Sequence, residues 1–82
     1  MDDKNREFPQ YRKLSNGLRF YRILDDKTFE EIQLMGSKIY RFTHKAKQYP
    51  ELVMIMDMLS CENHYHTSTV DEWNALSPAQ NN

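Results

Sequence analysis

The sequence predicts an α+β protein: a small antiparallel sheet, made of an N-terminal β-hairpin plus a third strand, with two or three short helices packed on one face. Three observations carry that expectation. Asn16-Gly17 separates two runs of aromatic and aliphatic residues, QYRKLS and LRFYRIL, and this dipeptide accepts the positive φ angles of a type I′ hairpin turn. KIYRFTHKA, residues 38–46, alternates between two sets of side chains, the period of a strand. Thr28 with Glu31, and Thr69 with Glu72, have the spacing of a capping box, in which a hydroxyl and a carboxylate satisfy the free amides at a helix start.

In chain order, the hairpin spans residues 10–24. A two-residue loop pairs Leu14 with Arg19, Arg12 with Tyr21 and Tyr11 with Arg22. Tyr11, Leu18, Phe20 and Leu24 then share one face, and Arg12, Arg19, Tyr21 and Ile23 the other. DDKTFEEIQLMG reads as a short helix: Phe29, Ile32 and Met35 recur at helical intervals and Gly36 is placed to end it. The third strand follows, with Tyr40, Phe42, His44 and Ala46 inward and Arg41, Thr43 and Lys45 outward. PELVMIMDMLS, residues 50–60, reads as a helix opened by Pro50 and Glu51. Its core stripe is expected to be Leu52, Ile55, Met56 and Leu59, with Met54 and Met58 forming a second apolar stripe. HYHTST reads as a short extended segment, and Thr69 opens a last helix that turns Val70, Trp73 and Leu76 inward. One domain is expected over residues 8–76, with polar tails at 1–7 and 77–82 outside the fold.

At 82 residues the chain is expected to be a complete small protein with a single core, marginally stable unless a partner, a metal or self-association adds to it. Cys61 is the only cysteine, which rules out a disulfide within the chain and suits a reducing compartment; the expected location is the cytoplasm. The first twenty residues carry charges throughout, unlike a secretory signal, and the longest apolar run, LVMIM at 52–56, is far short of a membrane span. Net charge is −1, but ten of the eleven Lys and Arg lie in residues 4–22 and 38–47, while nine of the twelve acids lie in 25–31 and 51–72.

Four chemistries compete for these residues. CENHYH, residues 61–66, could join Cys61, His64 and His66 with His44 as a zinc-binding set; no recognised zinc spacing is present, and the plainer reading is a polar junction between two elements. Covalent catalysis by Cys61 with His64, or by Ser68 with His66 and Asp71, has the right atoms but no motif, and neither Gly17 nor Gly36 sits in a phosphate-binding loop. Arg12, Arg19 and Tyr21 with Arg41 and Lys45 would make a basic, aromatic sheet face for single-stranded nucleic acid, provided their strands are neighbours. The methionine-rich helix offers more flexible apolar surface than a small core uses, which favours a protein interface.

The leading expectation is therefore a small non-enzymatic protein-interaction module, a regulator, adaptor or inhibitor, that binds a larger macromolecule or self-associates as a homodimer. Its size suits a host-targeting product of a phage or mobile element. The expected contact residues are Val53, Met54 and Met58, with Arg19, Tyr21 and Arg41 as the polar set. No cofactor, resident metal or membrane partner is expected. The alternatives are the nucleic-acid face and the zinc set of Cys61, His64, His66 and His44.

Overall fold

The computed structural model describes residues 7–76. The tails expected at 1–7 and 77–82 lie outside these residues except for Glu7. Seven elements follow in order: β1 (Gln10–Leu14), β2 (Arg19–Asp25), β3 (Thr28–Met35), β4 (Lys38–Lys45), α1 (Tyr49–Leu59), β5 (Tyr65–Thr67) and α2 (Val70–Ala75). The strands form one five-stranded sheet in the order β4-β3-β2-β1-β5, with every neighbour antiparallel. Consecutive hairpins build the first four strands, and the chain then crosses back to lay β5 beside β1.

The first hairpin has the expected register, with Arg12 opposite Tyr21 and Tyr11 opposite Arg22. Its turn differs from the expected type I′, which needs positive φ at both central residues. Only Gly17 adopts it, at φ 74°. The turn is closed by the Gly17 amide donating to Leu14 O at 2.9 Å, and the Asn16 side chain accepts from the Leu18 amide at 2.8 Å.

TFEEIQLM is β3, a strand and not the expected helix. The ladders on both sides of it explain the change: β3 pairs along its length with β2 and with β4, so every residue gains sheet partners that an isolated helix lacks. Gly36, at φ 64°, serves the β3–β4 turn and not a helix end.

The helices lie on opposite faces of the sheet, not on one. Side chains of directly opposed residues point to the same side, and successive residues alternate. Arg12, Tyr21, Glu31 and Phe42 therefore share one face, and Tyr11, Arg22, Glu30 and Thr43 the other. On the first face Arg12 donates to the α1 carbonyl of Met58 at 2.7 Å, and Tyr21, Ile23 and Phe29 pack with Ile55, Met58 and Ala46 as the core. On the second face the buried Trp73 of α2 lies 6.2 Å from the Tyr11 ring and under the guanidinium of Arg22 at 5.4 Å.

Within α1 the two methionine positions exchange their expected places. Met58 is fully buried, at 0%, while Met56 is exposed at 64%; Leu52, Met54 and Leu59 pack partly against the core. The Glu51 carboxylate accepts from the amides of Lys47 (3.0 Å) and Gln48 (3.4 Å), anchoring the helix start. At the other end the Glu62 amide bonds to Asp57 O (2.8 Å) and the Cys61 amide to Met58 O (3.1 Å), the paired bonds of a Schellman ending. No helix among the described residues is long and apolar enough to cross a membrane.

Candidate functional site

The feature that stands out is β4, an eight-residue strand at one edge of the sheet, exposed at every residue but His44. Both of its faces are open: Ile39 is 48% exposed, Tyr40 41% and Phe42 42%. The alternation of the strand predicts Tyr40 and Phe42 in the interior. They do lie on the core side of the sheet, but α1 reaches only as far as Phe29 and Ala46, so the aromatic rings beyond remain exposed.

The backbone of the same strand has hydrogen-bonding groups without a partner among the described residues. The Ala46 amide bonds to Lys27 O at 2.7 Å, which marks that pair as bonded, and bonded pairs alternate along an antiparallel ladder. His44, Phe42 and Tyr40 thus direct their amides and carbonyls toward β3, while Ile39, Arg41, Thr43 and Lys45 direct theirs away from the sheet. The bond from the Leu34 amide to Leu18 O (2.9 Å) agrees, since it turns Leu34, the residue opposite Ile39, toward β2. The other edge is β5, only three residues long.

Around the exposed rings is a set of fixed polar groups. Glu31 is buried, and its carboxylate contacts His44 Nε2 at 2.9 Å, Gln33 Nε2 at 3.0 Å and an Arg19 guanidinium nitrogen at 3.5 Å. The His44 ring stacks on Phe29 at 4.8 Å between centroids. Behind them the Tyr21 phenol is pushed well above the ordinary tyrosine value, first by burial and next by the negative charge of Glu31. On the opposite face Glu30 accepts from Arg22 Nε at 2.8 Å and lies 3.8 Å from Arg41, whose guanidinium sits 5.9 Å from the Trp73 ring centre. At the end of the sheet Asn16, Leu18, Arg19, Gln33 and Met35 line an open groove of about 590 Å³.

The residues expected to make contacts are scattered by this fold. Met58 and Tyr21 are core residues, which withdraws them as contact residues: each fills the space between sheet and α1. Met54 is partly packed against that core and Val53 is half-buried. Arg19 and Arg41 lie on opposite faces, because Arg19 shares a side with Gln33 and Tyr40 whereas Arg41 is opposite Ile32 and Phe20. The basic face of Arg12, Arg19, Tyr21, Arg41 and Lys45 therefore does not form.

The zinc set does not converge either. His44 is on β4 and His66 on β5, at opposite edges of the sheet, about 19 Å apart at four strand spacings. Cys61 is exposed, and among the described residues no group of three or more potential metal ligands is found. CENHYH is instead a tight link from α1 to β5. Cys61, Asn63 and His64 all adopt left-handed conformations, at φ 58°, 52° and 71°, and the Ser15 amide bonds to His64 O at 3.0 Å.

The sequence did contain a sign of the open edge. Lys38, Arg41 and Lys45 fall on one strand with no acid among them, and charges of this kind are typical of strands that end a sheet. No family model matches the chain, and no significant match is found among curated proteins or solved structures.

Proposed function

We propose that this protein is a small non-enzymatic interaction module, a regulator, adaptor or inhibitor, that binds a larger macromolecule by accepting one of its extended segments as a new strand beside β4. The observation that carries this reading is the open edge itself: outward amides and carbonyls at Ile39, Arg41, Thr43 and Lys45, flanked by the exposed side chains of Ile39, Tyr40 and Phe42. Strand addition uses such groups directly, the backbone providing affinity and alternate side chains providing selectivity. Val53, half-buried, lies between exposed Tyr49 and Met56 along α1, and this stripe is a second apolar surface available to the same partner.

A nucleic-acid reading also has an observation in its favour. Tyr40 and Phe42, two residues apart, share a face with Lys38 and Arg19, so bases could stack where phosphates meet cations. Stacking uses side chains and leaves the edge backbone idle. Thr43→Pro separates the two modes, because it removes an outward N–H while leaving the bonds to β3 in place. The expected result is a folded variant, judged by circular dichroism, whose partner binding falls by about tenfold or more, the equivalent of one or two lost hydrogen bonds. Unchanged binding of the partner by Thr43→Pro overturns strand addition. Retained binding of an oligothymidylate that is lost in Tyr40→Ala with Phe42→Ala would establish the nucleic-acid mode in its place.

A further inference from the structure

We infer that the segment β4 accepts is an acidic strand of a partner protein, antiparallel to β4, reading from its N-terminal end as acid, any, any, apolar, acid, apolar, apolar. The inference rests on the edge-docking reading and adds the chemistry of the occupant.

The first argument is charge. β4, KIYRFTHK, contains Lys38, Arg41 and Lys45 and no carboxylate. The acids of β3, the neighbouring strand, are already engaged. Glu30 lies between two guanidiniums, Arg22 and Arg41, one carboxylate for two cations, while Glu31 is occupied by His44, Gln33 and Arg19. Among the described residues no acid lies within ion-pair distance of Lys38 or Lys45. Among the described residues, the edge therefore holds positive charge that no carboxylate neutralises.

The second argument is that a second copy of the chain fits poorly. A two-fold pairing of β4 with itself must match outward residues with outward residues. Centred on Arg41 it opposes Arg41 to Arg41, and centred on Thr43 it opposes Arg41 to Lys45. Centred on Phe42 it spares the direct pairs but leaves Arg41 diagonal to both Arg41 and Lys45 of the copy, about 7–8 Å away. Each register stacks like charges that a foreign acidic strand would instead neutralise.

The third argument is side-chain alternation, which converts charge into a pattern. Residues opposite Arg41 and Lys45 share their face and should be acidic, and the residue opposite Ile39 should be apolar. Residues opposite Tyr40 and Phe42 fall on the other face, where exposed rings await apolar partners. Thr43 and His44 impose no charge requirement.

Fluorescence anisotropy with two labelled, blocked peptides, ETTVEFV and its charge-reversed counterpart KTTVKFV, tests the inference on the full chain. The acidic peptide is expected to bind about tenfold or more tightly than the basic one at low ionic strength, a preference that salt erodes. Lys45→Glu, at an exposed position without an acidic partner among the described residues, is expected to shrink the preference, and Arg41→Glu with Lys45→Glu to reverse it. Thr43→Pro is expected to abolish binding of both peptides with its melting curve retained. Equal binding of the two peptides, or no binding of the acidic one, overturns the acidic occupant and leaves edge docking standing. So does light scattering that shows a dimer dissolved by Thr43→Pro, which would assign the edge to a second copy. Peptide binding indifferent to Thr43→Pro overturns the edge reading itself.

Discussion

Arg12 is only 9% exposed, and its guanidinium joins the sheet to the first helix. Its Nε donates to Met58 O at 2.7 Å, and its Nη2 donates to Leu59 O at 3.3 Å and to the Gln10 side chain at 2.6 Å; Nη1 donates to Tyr11 O at 2.8 Å. A cation at a helix C-terminus faces the negative end of the helix dipole and satisfies carbonyls that have no partner within the helix. Arg12→Met keeps much of the volume but removes these charge-assisted bonds, leaving Met58 O with the Cys61 amide alone and Leu59 O without the guanidinium, so chemical denaturation should show a loss of about 2–4 kcal/mol. The Schellman ending beside it has the opposite defect. Cys61 occupies a left-handed position that glycine fills without steric cost. Cys61→Gly should raise stability by about 1 kcal/mol, read as a shift of the urea midpoint at constant slope.

At the scale of elements, α1 makes the clearest prediction. Met58 is in the core and Met56 faces outward, so Met58→Glu should unfold the domain whereas Met56→Glu should change its melting temperature little, as thermal circular dichroism would report. The sequence identified this helix, its Pro50-Glu51 start, the first hairpin with its register, a strand expected at 38–46 and found at Lys38–Lys45, the short extended segment and the last helix. It failed at β3 for a physical reason. A strand covered on both faces loses the apolar-polar alternation that identifies half-buried strands. Phe29 and Ile32 point to opposite sides, yet their three-residue spacing imitates a helix face, and Thr28 with Glu31 imitates a cap. Glu31 deepened the confusion, because an inward carboxylate occupies a position where a strand pattern calls for an apolar residue. The Met56 and Met58 exchange has a related origin: α1 is apolar around so much of its circumference that its angle of contact is set by the sheet it meets.

For the whole molecule, one five-stranded sheet between two helices means that neither face can be lost without the other. Trp73 covers the second face above Tyr11 and Arg22, the face that also carries the fully buried Ile32. Trp73→Ala should cost about 3–5 kcal/mol, comparable to the whole stability of a small domain. The expected melting curve is broad or lost at 25 °C, with β-sheet signal reduced along with that of the helices. The candidate site was the least legible part of the sequence. Arg41, Lys45 and the aromatics were visible, but their meaning depends on β4 being at an edge, and strand order is a property of the assembled sheet and not of any local pattern. The two edges also differ in a way that limits what the molecule can build. β4 offers eight residues and β5 only three. Growth of an open-ended fibre requires two edges that can accept one another repeatedly. Under the proposed strand addition, a single long edge among the described residues gives the sheet a valence of one: occupation of β4 would close the assembly.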